Sequence, residues 1–402
     1  MYDAEAIVIG GGHNGLICAA YLAKAGVDTI LVEARDSVGG CASTVSDLGA
    51  RFNICACDHS LIRAMPLIDE LNLSFHGLDY LEPEATYVNA FHENNGSWVF
   101  YHDADQTIDG LSITHPSEVE NYKRYLEDAI PVAELVIKIA QSGASMPEFL
   151  QAATQQKMKG ISKLLRWSKA SAVEVFKDYF DDWHLYMPGI STGPTVWGAP
   201  PEAPGTGLAA TVYATRHLIA SGRPRRGSGS LPDAILKSYL SNGGQVRLES
   251  IVEKLQIENN RVKAVELRDG NVIEAPTVIA ACDPHNVLVN WIDEAPVPAK
   301  SLISRWQKEP SPEGYESKLD GIVQNLPTYK FMSELAGKFD HTDLSQSTVI
   351  ISPSPEKLKE AHVLKGQGLI SDQPTMLASI PSALDPEMKA DNGLHTFGLE
   401  VL

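Results

Sequence analysis

The sequence predicts an α/β protein built from two interleaved domains, and three observations support that fold class. A short β-branched run at residues 6–9 leads directly into a glycine-rich turn and then into a segment with helical spacing. From about residue 80 to residue 206 the apolar residues recur at helical spacing, and beyond residue 243 short alternating runs predict strands again. With 402 residues, the chain is long enough for about two or three domains.

The composition is that of an acidic globular chain with a net charge of −18. Such a surface repels phosphate backbones, so no nucleic-acid partner is expected. No apolar run reaches the roughly 18 residues of a spanning helix, and the first residues lack the basic start of a signal peptide, so the chain is expected to be cytoplasmic.

The five cysteines show no Cys-x-x-Cys spacing, so no metal site is predicted. Cys55 and Cys57 are interpreted as two buried small residues rather than a redox pair.

The first forty residues carry the most specific motif. Residues 6–9 predict a buried parallel strand, and Gly10-Gly11-Gly12-His13-Asn14-Gly15 follows at once. Residues 16–25 predict a helix that stops at Gly26, and residues 27–32 predict a second strand that ends at Glu33. Strand, Gly-x-Gly-x-x-Gly turn, helix, strand and acid in this order predict a Rossmann-like dinucleotide-binding unit.

Each part of this motif has a physical role. Gly10 allows the tight turn, Gly12 lets the backbone approach a pyrophosphate, and Gly15 permits close packing of the helix on the strand. The N–H groups at the helix start stabilise phosphate charge, and Glu33 can accept hydrogen bonds from ribose hydroxyls. The predicted dinucleotide-binding residues of this unit are Gly10, Gly12, His13, Asn14, Gly15 and Glu33.

A second motif follows, because residues 33–40 read Glu-x-Arg-x-x-x-Gly-Gly. Here the sequence resembles the flavoprotein superfamily that contains amine oxidases and carotenoid desaturases. The resemblance implies that the dinucleotide is FAD and that further contacts come from Ala34, Arg35, Gly39, Gly40 and Val252. Val252, which follows a strand predicted at residues 245–249, is expected to cover the adenine. The alternative for Arg35 is a solvated surface charge after a strand. No second glycine motif with strand and acid follows, so no separate NAD(P)H domain is predicted.

Asp58 and His59 are the candidates for acid–base chemistry. They form the adjacent acid and imidazole in residues 51–60, a stretch that the resemblance places beside the flavin. The alternative is a helix-capping aspartate beside a hydrogen-bonded histidine, ahead of an amphipathic segment at residues 61–71.

The region from residue 80 to residue 206 is predicted to be a helical insertion. Within it, residues 157–169 hold five cations and no acid. Four apolar side chains share one face of the predicted helix: Met158, Ile161, Leu164 and Leu165. This pattern predicts a basic amphipathic helix that contacts a membrane surface, with Trp167 at the interface. The alternative is a solvated helix that packs Leu164 and Leu165 into the core.

The later part of the chain predicts a return to the dinucleotide-binding domain. A glycine turn at residues 227–229 leads to a helix capped by Ser230, with Pro232 in its first turn. Three runs separated by turn residues predict an antiparallel meander over residues 255–275. A return strand beside the cofactor is predicted at about residues 277–281.

With these motifs placed, the chain resembles the phytoene-dehydrogenase-related flavoproteins over nearly its whole length. These include carotenoid desaturases, β-carotene ketolases and relatives resembling pyridine-nucleotide-disulfide oxidoreductases. The segments that carry the resemblance are residues 9–16, 52–59, 214–218, 227–231 and 380–386. The resemblance implies an FAD-binding domain at 1–79 plus 207–290 and a mixed α+β substrate domain at 80–206 plus 291–402. The family's late glycine-rich segment has no match after Lys330, and residues 395–402 predict a strand, so a closing segment of the FAD domain is expected to be missing.

The resemblance implies an FAD-dependent oxidoreductase that acts on a long apolar isoprenoid or polyene by hydride or electron transfer at the flavin. The expected partners are this apolar molecule and a membrane surface, touched peripherally through residues 157–169. Two alternatives remain open. One is a non-catalytic isoprenoid-binding protein of the same fold, and the other is an amine oxidase with an aromatic cage near the flavin.

Overall fold

The structure is a computed structural model that describes residues 2–55, 57–141, 154, 160–309 and 316–402. Its β-strands, numbered in chain order, are β1 Ala6–Ile9, β2 Thr29–Val32, β3 Thr44–Asp47, β4 Ala50–Asn53, β5 Tyr80–Leu81, β6 Ala85–Phe91, β7 Trp98–Tyr101, β8 Arg223–Pro224, β9 Gln245–Arg247, β10 Val252–Glu258, β11 Arg261–Leu267, β12 Val272–Glu274, β13 Thr277–Ala280, β14 Ser317–Val323, β15 Thr348–Ser352, β16 Met376–Ser379 and β17 His395–Val401.

The α-helices of the described residues are α1 His13–Lys24, α2 Leu61–Ala64, α3 Leu67–Glu70, α4 Ala104–Thr114, α5 Val119–Gln141, α6 Ile161–Trp167, α7 Ala172–Lys177, α8 Trp183–Ser191, α9 Val212–Leu218, α10 Ser230–Ser241, α11 Lys300–Trp306, α12 Met332–Leu335, α13 Pro355–Lys365 and α14 Pro381–Leu384.

The first sheet has the strand order β13-β1-β2-β9, and all its strands are parallel. The central strands β1 and β2 are short, β-branched and buried on both faces, which is why their sequences are continuous apolar runs. Val8 and Leu31 belong to the hydrophobic cluster that contains α1 and α10. Ile7 and Ile9 belong to the cluster on the other face, which contains β10, β11 and β12. The predicted strand–turn–helix–strand unit is confirmed, with α1 starting three residues earlier than predicted.

The three strands β10, β11 and β12 form the predicted antiparallel meander. Its first turn places Asn259 and Asn260 at positive φ, and Gly270 in the second turn also has positive φ. Asparagine and glycine tolerate this conformation, so these turn residues determine where the strands reverse. The predicted return strand is β13, which pairs with β1 in parallel register, Ala6 opposite Thr277.

The second large sheet has the strand order β14-β17-β16-β15-β6-β7. Within it β6 and β15 are parallel, and the other pairs are antiparallel. The prediction of a purely helical insertion from residue 80 onward is therefore wrong at its start, where β6 and β7 lie. All seven residues of β6 are buried, so this strand lacks the alternation that identifies a half-exposed strand. The strand predicted at residues 395–402 is confirmed as β17.

Behind the β6–β7 edge, helices α4 to α9 enclose an aromatic core. Its fully buried members include Trp98, Tyr122, Tyr125, Trp167, Phe176 and Tyr213. The predicted division of the chain into two domains at residues 79, 206 and 290 stays a prediction.

Helix α6 covers part of the predicted membrane-surface segment, while Lys157, Met158 and Lys159 lie outside the described residues. Trp167 is fully buried and packs edge-on against Tyr179 with ring centroids 6.3 Å apart. The prediction that Trp167 lies at a membrane interface is therefore wrong. The alternative interpretation placed both Leu164 and Leu165 in the core. Leu164 is buried and Leu165 is exposed, so this interpretation is right for Leu164 and wrong for Leu165.

Two cations of this segment form ion pairs with acids from elsewhere in the chain. Lys163 Nζ lies 2.6 Å from Asp128 Oδ2, and Arg166 Nη2 lies 2.5 Å from Asp178 Oδ2. These contacts reduce the positive charge that the segment can offer to lipid head groups. In the described part of the chain, no helix is long and apolar enough to cross a bilayer. Peripheral membrane contact stays a prediction.

Two predicted helix starts need correction. Ser230 does not cap α10, because Gly229 is the N-cap and the Ser230 hydroxyl donates to the carbonyl of Arg225. Asp58 does not cap the next helix either, because the N-cap of α2 is Ser60. The segment predicted as one amphipathic stretch divides into α2 and α3 at Pro66, whose ring cannot continue a helix from the preceding residue.

A buried ion pair joins the loop after β4 to the six-stranded sheet. Arg223 Nε donates to Asp58 Oδ1 over 2.7 Å, and Arg223 Nη2 donates to Thr348 Oγ1 over 2.8 Å. Thr348, on β15, donates in turn to the other oxygen of Asp58. Burial opposes the charge on Arg223, but the adjacent Asp58 carboxylate outweighs burial and raises the pKa of the guanidinium. Three segments distant in sequence are thereby fixed to one another.

We expect Arg223→Met to lower the free energy of unfolding by about 3–5 kcal/mol, because it leaves the Asp58 carboxylate buried without its cation. Arg225→Met is the matched control, since Arg225 pairs with Asp79 at the surface. Urea unfolding followed by circular dichroism measures both variants, and the midpoint of Arg225→Met should stay near that of the wild type. Equal shifts for the two variants would show that the Asp58 pair is no more important than a surface pair.

Candidate functional site

The glycine turn between β1 and α1 brings backbone atoms so close together that it leaves no room for a Cβ at Gly10 or Gly15. A Cβ built on Gly15 would lie 1.9 Å from the carbonyl oxygen of Gly10, and one built on Gly10 would lie 2.8 Å from the carbonyl oxygen of Ala281. Gly10 also has a φ of +101°, which side-chain-bearing residues rarely adopt. The structure therefore gives Gly10 and Gly15 the turn and packing roles that the motif predicts.

Gly12 differs, because it faces open space. Its φ of −69° suits any residue, and a Cβ there would meet nothing closer than Gly40 Cα at 3.9 Å. Gly12 is the N-cap of α1, no side chain caps this helix end, and its first turn, from His13 and Asn14 onward, carries no acid. Backbone N–H groups and the helix dipole thus face a space without a side chain, which suits a pyrophosphate.

The second glycine pair lies directly beside this helix start. The N–H of Gly39 donates to the carbonyl of Gly11 over 2.8 Å, and Gly12 and Gly39 form a parallel bridge. A Cβ on Gly40 would lie 3.0 Å from Gly12 Cα. Two motifs separated in sequence therefore form one cradle of backbone, which is what a dinucleotide-binding site requires.

Glu33 holds the cradle together. Its Oε2 accepts the N–H of Gly11 over 2.6 Å and its Oε1 accepts the N–H of Arg35 over 2.9 Å, and the side chain is buried. Each carboxylate oxygen retains a second lone pair, so Glu33 can still accept from ribose hydroxyls. The sequence analysis predicted that Glu33 binds the ribose, but it did not predict the hydrogen bond from the Gly11 N–H to Glu33.

The other residues predicted to contact FAD, Ala34, Arg35 and Val252, differ in their exposure to solvent. Ala34 is exposed, and the guanidinium of Arg35 donates to Ser43 Oγ over 3.3 Å, so Arg35 is half-buried rather than a solvated charge. Val252 is buried in the cluster between the first sheet and the meander. Its contact with an adenine stays a prediction.

Asp58 and His59 lie together, but both are already engaged. Asp58 is the acid of the buried pair with Arg223. The imidazole of His59 lies 3.0 Å from the hydroxyl of Tyr80 and 3.2 Å from that of Ser228. Burial lowers the pKa of His59 to about 4, so the ring is neutral at pH 7. The hydrogen-bonded histidine of the alternative interpretation is confirmed, and a catalytic role for either residue stays a prediction.

A cavity of about 10 Å³, which is room for about one water molecule, lies beside this loop, and residues that the sequence did not indicate as functional candidates line it. Its lining residues include Asn53, Cys57, Lys318, Asp320, Ser379 and Glu400. Lys318 Nζ donates to the carbonyl of Asn53 over 2.7 Å and also pairs with Asp320. Burial, together with the charge of Glu316, raises the pKa of Glu400 to about 7. Glu400 can therefore gain or lose a proton near neutral pH.

The two cysteines of this loop are poor nucleophiles. Burial raises the pKa of Cys57 to about 11, and burial together with the neighbouring Cys41 raises that of Cys55 to about 11. Both are thiols rather than thiolates at neutral pH, which argues against a reactive cysteine, but both are partly exposed, so the prediction that they are buried is only partly right.

Comparison with known proteins places these motifs in a family. The sequence profile of the flavin containing amine oxidoreductases matches residues 15–317, well over half of the chain. The chain is 24% identical to pyridine nucleotide-disulfide oxidoreductase domain-containing protein 2 of Rattus norvegicus, covering 99% of this chain and 73% of the relative. It is 25% identical to a limonene dehydrogenase subunit of Castellaniella defragrans, covering 75% and 56%, and 23% identical to a lycopene-forming phytoene desaturase of Pseudescherichia vulneris, covering 96% and 73%.

Solved structures show the same fold. An oxidoreductase from Methanosarcina mazei matches with a TM-score of 0.63 at 17% identity, over 98% of this chain and 78% of that one. Putrescine oxidase bound to putrescine matches with a TM-score of 0.59 at 16% identity, over 99% and 75%. A Rab GDI from Plasmodium falciparum matches with a TM-score of 0.55 at 11% identity, over 99% and 82%. The predicted α/β fold class and the FAD cofactor are confirmed.

Gly12→Ala and Gly15→Ala should fail in different ways. Gly12→Ala should fold, because its Cβ meets only an ordinary contact, but should bind FAD at least tenfold more weakly, because the methyl group enters the space for the pyrophosphate. Gly15→Ala should lose thermal stability, because its Cβ overlaps the Gly10 carbonyl. Fluorescence titration with FAD and thermal unfolding measure the two effects. Wild-type FAD affinity in a folded Gly12→Ala protein would contradict the assignment of the cradle.

Because Glu400 titrates near neutral pH, we expect the free energy of unfolding to depend on pH. Because the pKa of Glu400 is about 7 in the folded chain and lower in the unfolded chain, the folded state loses stability as pH rises through 7. Glu400→Gln removes this cost, so it should be more stable than the wild type by on the order of 2–3 kcal/mol at pH 8.5 and equal to it near pH 4.5. Urea unfolding at both pH values tests this, with the exposed Glu93→Gln as control. A difference that does not change with pH would mean that Glu400 is not the titrating group.

Proposed function

The chain belongs to the family of flavin containing amine oxidoreductases and is an FAD-dependent oxidoreductase, and from this premise we propose that its substrate is a long apolar isoprenoid or polyene. The observation that carries the proposal is the similarity to a limonene dehydrogenase subunit and to a phytoene desaturase, which are named for isoprenoid hydrocarbons. The similarity to the desaturase extends over 96% of this chain. The reaction would be desaturation or ketolation.

The residues of this chain that would hold the cofactor form the backbone cradle. Gly12 and the start of α1 would bind the pyrophosphate, with Gly39 and Gly40 beside them, and Glu33 would accept hydrogen bonds from the ribose. Bound FAD supplies the acceptor for a hydride or for electrons. The protein supplies orientation and exclusion of water around that acceptor.

Glu400 is the proposed proton acceptor of the reaction. Removing a hydride and a proton from adjacent carbons of a hydrocarbon requires a base for the proton. A carboxylate whose pKa is near 7 is suited to take it at neutral pH. Lys318 lies in the same cavity and lowers the cost of the negative charge on Glu400, so it would act as a positioning residue.

An apolar substrate would determine where in the cell the protein meets it. A long hydrocarbon dissolves in bilayers rather than in water, because burying its surface is favourable by roughly 25 cal/mol per Å². We therefore propose that a cytoplasmic enzyme reaches it by peripheral membrane contact. In residues 160–169 such contact would depend on the exposed Leu165 and not on Trp167.

Amine oxidation is the second candidate, and one observation favours it. The carboxylates of Asp320 and Glu400 face one cavity, and Asp58 lies close enough to raise the pKa of Glu400 further. Such an acidic lining suits an ammonium group. The ion pair between Lys318 and Asp320 already neutralises one of these charges, which is why the apolar substrate is preferred here.

A non-catalytic isoprenoid-binding protein is the third candidate. The likeness to a Rab GDI, at 11% identity, concerns the fold alone. The tight Gly10–Gly15 turn and the open space at Gly12 are features that a protein without a dinucleotide has no need to keep. Both features support the enzyme.

Flavin reduction under anaerobic conditions distinguishes these candidates. The FAD-loaded protein should lose its blue absorption band when mixed with phytoene in liposomes or with limonene, and should keep the band when mixed with putrescine. Glu400→Gln should slow this loss at least tenfold while retaining bound FAD, because the variant lacks the proposed base. Bleaching by putrescine alone would support the amine oxidase and contradict the isoprenoid proposal.

A further inference from the structure

A cluster of two imidazoles and a carboxylate lies outside the cofactor site, among the helices behind β6 and β7. His115 follows the last residue of α4, Asp182 is the N-cap of α8, and His184 is in the first turn of α8. One ligand atom of each residue can be chosen so that all three lie within 4.8 Å of one another. His184 Nδ1 is 2.6 Å from Asp182 Oδ1, and His115 Nε2 is 3.9 Å from Asp182 Oδ2.

The two imidazoles keep unused binding capacity. His115 is 7% exposed, and its Nδ1 has no hydrogen-bond partner. His184 Nε2 is also buried without a partner. Buried polar atoms normally have a hydrogen-bond partner. The nitrogens that face Asp182 are the opposite ones, His115 Nε2 at 3.9 Å, which is beyond hydrogen-bond distance, and His184 Nδ1 at 2.6 Å, so these two atoms would ligate an ion held between the three residues.

Two carboxylates, Glu118 and Glu334, lie at this corner, and the charge of Lys338 also acts on His115. Glu118 is 3% exposed, and its two oxygens accept from the backbone N–H of Asp182 and from the side-chain amide of Asn121. Both of these donors are neutral. The carboxylate of Glu334 accepts the N–H groups of Gly96 and Ser97 in the β6–β7 turn. A buried carboxylate is costly unless a positive charge is near, so Glu118, which accepts only from neutral donors, favours a cation between itself and the imidazoles.

The β6–β7 turn covers the solvent side of this cluster. A Cβ on Gly96 would lie 2.3 Å from Cδ2 of the His184 ring, so the turn backbone covers the imidazole directly. On its other side the His184 ring stacks on Trp183 with centroids 3.8 Å apart. The ring is therefore held in one orientation, as a metal ligand must be.

We propose that His115, Asp182 and His184 bind one divalent transition-metal ion, with zinc the best fit, and that water completes its coordination. Imidazole and carboxylate are ordinary zinc ligands, with bond lengths of about 2.0–2.2 Å. In a tetrahedral centre such ligand atoms lie about 3.3 Å apart, and the present spacings, from 2.6 Å to within 4.8 Å, bracket that distance. The ion ties the end of α4 to the start of α8 and has a structural role.

The cysteine pattern could not indicate this site. It predicted no metal because it lacks Cys-x-x-Cys, whereas these ligands are histidines and an aspartate. His115 and Asp182 are far apart in the sequence, so no short motif unites them.

Zinc binding by the whole FAD-loaded chain tests the proposal. The protein is stripped with a chelator, dialysed against zinc sulfate, and its metal content is measured per chain. We expect close to one zinc per chain and a higher melting temperature with zinc than without it. His115→Ala and Asp182→Asn should bind zinc at least tenfold more weakly, while the exposed His341→Ala should bind it as the wild type does.

Cobalt gives a second readout, since a tetrahedral site of this kind turns blue with Co²⁺ and the colour should vanish in Asp182→Asn. The absorption of bound flavin shows whether each variant is folded, and Asp182→Asn keeps the shape of the side chain if His115→Ala does not fold. Wild-type protein that binds no more zinc than a metal-free blank would overturn the proposal. Wild-type zinc content in folded Asp182→Asn and His115→Ala proteins would overturn it as well.

Discussion

The close approach of Gly15 to the carbonyl of Gly10 determines how the β1–α1 turn and the backbone cradle beside it are built. A Cβ at Gly15 would lie 1.9 Å from that oxygen, so α1 can begin directly above β1 only because both positions are glycine. This close approach leaves the start of α1 open at Gly12. Glu33 then fixes the neighbouring Gly11, and Gly39 bonds to the same peptide segment. One steric requirement thus produces the cradle of backbone N–H groups that we propose as the FAD site.

The loop after β4 is bound to the six-stranded sheet. Its Asp58 is bound to Arg223 and Thr348, and Thr348 belongs to that sheet. The cavity that contains Lys318 and Glu400 lies beside the same loop. The ion pair therefore fixes this loop, whose Cys57 lines the cavity of Glu400, to the six-stranded sheet. The candidate metal cluster lies elsewhere, among the helices behind β6 and β7.

The sequence predicted the features that depend on local pattern and missed those that depend on pairing across the fold. The strand, glycine turn and helix around Gly12 were predicted because each is specified within a few residues. Trp167 was misplaced because the segment containing it is basic in sequence, and its neutralising acids, such as Asp128, are supplied by other segments. Strand β6 was predicted as part of a helical region because it is buried on both faces. Glu400 became a candidate only when β14 and β17 were paired.

Whether the cradle at Gly12 and Glu33 binds FAD can be measured by the amount of FAD that the protein releases per chain. The purified protein, supplemented with FAD and freed of the excess by gel filtration, is denatured with acid, and the released flavin is quantified by its absorption. We expect close to one FAD per chain and, before denaturation, the paired near-ultraviolet and blue bands of a bound flavin. A folded protein that releases no FAD would contradict it.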